Sequence, residues 1–248
     1  MASKKLVCDV FDCLIKDNAD GSVAGSTTLQ SANIDVAVSE VEVRSGKGNA
    51  LQAVLHIQRD INVSLTDVEW KMEWLEKQLG TTTTIGSDIA YAMPTWYTVN
   101  SSKQITLPAT PISATPADAG LKIYDTNGTE ITGATLSGAV VTISTATEGD
   151  EVEVRTFKYN TPDTTQVLNF EADKFSKGCT LVLSTFETDE NESHPYELQY
   201  QFPTAIPVGN FQINTSSEKN AATQTFDLKI VKPASTTVAG KLLRIPLS

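Results

Sequence analysis

An all-β protein is what this sequence predicts: a β-sandwich or barrel core with one flanking α-helix, plus a small inserted β-sandwich. Three observations carry that prediction. Short runs rich in β-branched and aromatic residues alternate with polar ones at period two. Turn residues break those runs about every eight to twelve positions. A single stretch, Thr66 to Gly80, keeps a helical period. The 248 residues suffice to bury a core without metals or disulfides.

The best-patterned region runs from Ile34 to Gly80. Ile34 to Val38 and Val41 to Val43 alternate, the Gly-rich turn Arg44 to Asn49 follows, and Leu51, Ala53, Leu55, Ile57, Ile61, Val63 and Leu65 continue at period two. That pattern predicts a half-buried hairpin. From Thr66 the period changes: Val68, Met72, Leu75 and Leu79 share one helical stripe, Thr66 or Asp67 can cap its start, and Gly80 can supply the left-handed C-terminal residue. Trp70 and Trp74 lie about 150° away from that stripe. The helix therefore has a second apolar face, to be covered by a loop of the same chain or by another subunit.

Before this region, Leu6 to Lys16 reads as a first strand. Asp17 to Ser31 is polar and long for a turn, either a surface loop or an interaction arm. After it, Ile89 to Val99 reads as a strand or pair broken at Pro94, with Trp96 and Tyr97 beside the proline. Ile105 to Asn160 carries short, evenly spaced strands joined by turns such as Asp125-Thr-Asn-Gly128, the pattern of an inserted immunoglobulin-like module. The expected organisation is thus a discontinuous core, 1–104 with 161–248, interrupted by a module at 105–160. Further strands are expected at Gln166–Phe170, Cys179–Glu187, Tyr196–Phe202, Asn210–Asn214, Thr225–Val231 and Leu242–Ile245. Thr188 to Ser193 reads as a solvated acidic hairpin tip rather than a cation loop.

Catalytic chemistry is sparse. His56 falls on a polar strand face and His194 precedes a proline; no Ser-His-Asp order, zinc spacing, Walker motif or dinucleotide fingerprint is present. Cys8, Cys13 and Cys179 have no metal spacing and read as ordinary thiols. The turn with Gly46 and Gly48 lies between strands, lacks the Lys-Ser/Thr pair and is not read as a phosphate loop. No cofactor is expected. No signal peptide and no membrane-spanning segment are recognised, so the sequons at Asn62, Asn127, Asn191 and Asn214 are read as chance matches in a cytoplasmic product. A net charge of -11 argues against a surface that grips nucleic acid, but it suits a wall past which DNA slides.

Several stretches resemble the tail tube (major tail) proteins of long-tailed bacteriophages. They are Glu40-Val-Glu-Val-Arg44, Gly46-x-Gly-Asn-Ala50, the run Ile61-Asn-Val-Ser-Leu-Thr-Asp-Val-Glu-Trp70 to Gly80, Tyr196-Glu-Leu-Gln-Tyr-Gln-Phe202, Gly209-Asn-Phe-Gln-Ile-Asn214 and Phe226-Asp-Leu-Lys-Ile230. Together they span about two thirds of the chain. The resemblance rests on texture and order rather than on a signature motif.

That resemblance implies a virion structural protein whose subunits join edge to edge into rings, usually hexameric, that stack into a hollow tube for genome ejection. Partners would be further copies of the chain, other tail proteins, a sheath where the tail contracts, and DNA passing without specific binding. The resemblance implies subunit contacts at Asp17, Asn18, Asp20, Ser26 and Thr28 in the arm, at Arg44, Lys47 and Asn49 in the turn, and at Trp70 and Trp74. It implies Asp35, Glu40, Glu42 and Asp60 as lumen-lining residues. The expected location is the virion tail, after synthesis in the host bacterial cytoplasm. Two alternatives stand beside it: a capsid decoration protein, and a carbohydrate-binding, adhesin or enzymatic β-sandwich, for which Tyr91, Trp96 and Tyr97 are the sugar-stacking candidates.

Overall fold

A computed structural model of the chain describes residues 5–7, 9–189, 193–211 and 222–247. Cys8, Glu190, Asn191, Glu192 and Asn214, with most of the strand expected over Asn210–Asn214, lie outside them. The chain divides into two compact units, residues 1–82 with 168–248 and residues 83–167. The protein is all-β, with one short helix among the described residues.

In the first unit, nine strands form one sheet. They are β1 (Lys5–Val7), β2 (Asp12–Asp17), β3 (Val23–Ser26), β4 (Leu29–Ser45) and β5 (Ala50–Asp67), then β16 (Cys179–Asp189), β17 (Tyr196–Pro207), β18 (Gln224–Ile230) and β19 (Lys241–Pro246). The main order is β3-β2-β16-β17-β18-β5-β4, with β1 beside β16 and β19 beside β17. Its two ends meet. Only Thr27 and Thr28 separate β3 from β4, at opposite ends of that order, and the Ser26 hydroxyl on β3 donates to the Asp67 carboxylate on β5. A sheet whose first and last strands touch is rolled, as strand twist favours. Ile15, Val63, Leu65, Leu181, Leu183, Phe226 and Leu228 fill the interior. Each contributes about 1.5–3 kcal/mol on leaving water.

The segment Asp17 to Ser31 is therefore not the loop or arm the sequence led us to expect. It is mostly a hairpin, β2 pairing with β3 from Cys13 opposite Ser26 to Lys16 opposite Val23, with a turn in which Asp17 and Asp20 accept backbone hydrogen bonds. Its polar residues concealed short strands because Gly21 and Gly25 weakened the alternation.

The helix α1 (Met72–Leu79) also starts later than Thr66. Thr66 and Asp67 remain strand because they pair with Thr225 and Gln224 on β18. At the helix start no side chain of Lys71 caps; Gln224 from the neighbouring strand accepts from Lys71 N–H at 2.9 Å and donates to its carbonyl at 3.1 Å. Such a cap comes from far along the chain and local sequence cannot announce it. The C-terminal end follows expectation: Gly80 sits at φ 71° and donates to Glu76 O at 2.8 Å.

The second unit contains β6 (Thr84–Ile85), β7 (Ile89–Tyr91), β8 (Thr95–Thr98), β9 (Gln104–Thr106), β10 (Lys122–Asp125), β11 (Thr135–Ser137), β12 (Val140–Thr142), β13 (Glu151–Thr156), β14 (Lys158–Asn160) and β15 (Gln166–Val167). Sheets β10-β13-β8 and β11-β12-β9 enclose a core of Val99, Ile105, Ile123, Val141, Ile143, Val152, Val154 and Phe157. This unit begins before Ile105 because β8 pairs with β13 and β7 with β14.

Candidate assembly interface

The β4–β5 hairpin is much longer than the sheet that carries it. β18 covers β5 only from Asn62 to Asp67; from Ile61 back to Ala50, β5 pairs with β4 alone. At roughly 3.4 Å per residue this arm projects about 40 Å. Every residue from Asp35 to Asp60 is exposed, whereas the sequence pattern led us to expect one buried face. The alternation is present, but within this chain nothing covers it.

A bulge turns the apolar stripe over midway. Near the body, Ile34, Val36 and Val38 share a face with Ile61 and Val63, and Asp35, Asp60 and Asn62 take the other. Between Ser39 and Glu40 the register skips Ile57. Beyond the skip, Val41 opposes Leu55 and Val43 opposes Ala53 on the face that carried Asp35, while Glu40, His56, Glu42 and Arg44 occupy the face that carried Val36. On β4 the sequence changes parity between Val38 and Val41; on β5 the parity is constant and the extra residue does the turning. Both strands arrive at matched apolar pairs, which is what a paired hairpin requires. Val36, Val38, Val41, Val43, Leu55 and Ile57 are each about 40–65% exposed.

Four carboxylates expected along one wall thus divide between two faces: Asp35 with Asp60 near the body, Glu40 with Glu42 farther out. Glu40 Oε1 lies 3.0 Å from His56 Nδ1, and Glu42 Oε2 lies 2.6 Å from an Arg44 guanidinium nitrogen. At the tip, Gly46 and Gly48 at φ 82° and Asn49 at φ 51° make the turn, and Lys47 is exposed.

At the other end of the sheet, Asp67 is fully buried. It accepts from Ser26, from Thr28 at 2.9 Å and from Glu69 N–H at 2.9 Å, and Lys71 Nζ stands 3.1 Å away. Burial opposes its charge, but the hydrogen bonds prevail and hold its pKa below the usual carboxylate range. This anchor fixes the strand-to-helix junction on which Val68, Glu69 and Trp70 are presented outward; Trp70 is 49% exposed.

The two tryptophans separate here. Trp74 is completely buried against Phe226, ring centroids 5.3 Å apart, so it is a core residue and not a subunit contact. Leu75 and Gln78 are buried with it, while Val68 lies outside the helix and is exposed. The buried face of the helix carries Trp74, Leu75 and Gln78 and falls between the two stripes that the sequence suggested.

Two other expected contacts turn inward as well. Asp17 is buried and pairs with Lys77 at 2.7 Å, which holds its carboxyl low, and Ser26 is buried on Asp67. Asn18 donates to Pro203 O at 3.2 Å and accepts from Thr180 at 2.9 Å, within its own sheet. Asp20 remains on the surface. In the second unit, Tyr91 and Tyr97 line a cleft of about 370 Å³ with Met93, Phe157 and Tyr159. Trp96 faces the other side of β8, so the three sugar-stacking candidates do not assemble.

The YomU/Tube protein family matches residues 5–245. A protein named tail tube protein, from Bacillus phage SPR, is 23% identical over 244 residues, covering 94% of this chain and 90% of the relative.

Proposed function

As a member of the YomU/Tube protein family the chain is a structural protein of the phage tail tube, and we propose that it assembles into stacked hexameric rings whose lumen conducts the genome during ejection. The observation that carries this reading is the β4–β5 arm. A hairpin with exposed valines, leucine and isoleucine on both faces, and an outer edge on β4 that pairs with nothing among the described residues, is a surface built to be covered. A second copy covers it without waste when the contact repeats around a closed ring.

In that ring the part of the arm near the body turns Asp35 and Asp60 to the lumen, because its opposite face closes over the subunit's own core at Val63 and Leu65. The Asp35 and Asp60 carboxylates there, on a chain of net charge -11, let DNA pass without specific binding. Residues 83–167 form an immunoglobulin-like module. Other tail proteins, including a sheath in a contractile tail, meet the tube in the virion after synthesis in the host cytoplasm. Native mass spectrometry of the concentrated protein tests the stoichiometry. Species at six times 26.7 kDa are expected; a monomer at every concentration would overturn the ring.

A further inference from the structure

The two outward features of the sheet lie at its opposite ends. From the tip beside Ala50 to Asp67, β5 runs about 55 Å at roughly 3.3 Å per residue. At the far end of this length are Arg44 and Lys47, cationic and exposed, beside exposed Leu51. At the near end, Val68 and Trp70, 44% and 49% exposed, lie close in sequence to exposed Glu69, which pairs with Lys71 at 2.5 Å, and to exposed Glu73. An apolar shelf with acidic margins and a tip with cations beside a leucine are complementary in charge and in character. Indole is also the strongest ring partner for a guanidinium or ammonium. Within one chain the two cannot meet, because the paired strands hold them apart.

We propose that the hairpin tip of one copy seats on the Trp70 shelf of the next, with Arg44 and Lys47 against Glu69 and Glu73. The contact joins two different patches, so it is heterologous and propagates head to tail. Resting on the tube reading, it gives the tube a polarity: every hairpin points the same way along it. The Arg44–Glu42 pair does not oppose the exchange, because exposed pairs of this kind contribute little, and Glu69, 60% exposed at its side chain, can keep Lys71 while it accepts a second cation. Trp70 supplies the buried anchor and the charges set register and partner choice.

Cysteine cross-linking of the full-length chain tests the pairing. Cys13 and Cys179 are buried, and Cys8 is replaced by serine. A chain carrying both Lys47→Cys and Glu73→Cys should give, on mild oxidation, a disulfide-linked ladder running past dimers to trimers and beyond. Each single variant should stay monomeric on the gel, and mixing the two singles should give dimers only. Independently, Lys47→Glu should lower the assembled fraction about tenfold at matched concentration, and Glu73→Lys in the same chain should restore it. Tubes seen by microscopy without any ladder, or with Lys47→Glu assembling as well as the parent, would overturn the pairing and leave the tube reading intact. Absence of both tubes and ladder would overturn both.

Discussion

Arg244 on β19 donates two hydrogen bonds of 2.7 Å to the carboxylate of Glu187 on β16, reaching across β17, with its guanidinium stacked 3.4 Å over the Tyr196 ring. Lys5 on β1 approaches the same carboxylate at 3.1 Å. Both terminal strands are thereby fastened to the β16–β17 hairpin through one side chain. The Arg244 hydrogen bonds, against a desolvation penalty and helped by Lys5, bring the Glu187 pKa down to about 2. A lowered folded-state pKa gives stability that is present above the unfolded value near 4.5 and is lost as pH falls toward 2. Thermal unfolding followed from pH 5 to pH 2 should show the parent losing more than Glu187→Gln across that window. Parallel pH profiles would show that the clamp contributes nothing.

Asp67 should be among the most sensitive polar positions of the chain. Asp67→Ala removes the acceptor of two hydroxyls and a backbone N–H and leaves Lys71, whose side chain is only 13% exposed, without its inner partner. A loss of roughly 2–4 kcal/mol is expected from urea denaturation.

Two glycines with similar backbone angles should respond differently to alanine. At Gly80, φ 71°, an added Cβ would stand 2.1 Å from Phe175 O, a backbone atom. At Gly46, φ 82°, nothing lies within 4 Å. Gly46→Ala should cost about 1 kcal/mol of backbone strain, and Gly80→Ala clearly more, read from the same denaturation curves.

Trp74→Ala should destabilise the monomer by roughly 3–5 kcal/mol through loss of its contact with Phe226 and the cavity left behind. Trp70→Ser should leave the melting curve unchanged and reduce assembly. Circular dichroism melts paired with sedimentation separate the two effects. Equal destabilisation by both would return Trp70 to the core.

The sequence made some elements legible and hid others for physical reasons. The β4–β5 hairpin, its Gly46–Asn49 turn and the Gly80 helix end are visible because local periodicity and backbone chemistry determine them. The β2–β3 hairpin was hidden by its glycines, and the helix start by Gln224, whose cap comes from another strand. Periodicity placed apolar residues on alternate positions of β5, but it cannot report a register skip at Ile57, which belongs to the pair of strands. The family resemblance grouped Asp35 and Glu40 on one wall, but their odd spacing along β4 puts them on opposite faces. Trp70 and Trp74 looked equivalent because their spacing suits one helical face; β5 extending to Asp67 excludes Trp70 from the helix. Glu187 carried no local signal, since Lys5 and Arg244 lie far away in sequence; Asp67 was legible only as a possible cap, because the Ser26 and Thr28 hydroxyls that bind it are also distant.

Assembly itself is the most direct test. Negative-stain electron microscopy of the purified full-length chain across a concentration series, alone and with partner tail proteins, should show rings that stack into hollow tubes of uniform width. A chain that stays monomeric throughout, with neither rings nor tubes, would contradict the account.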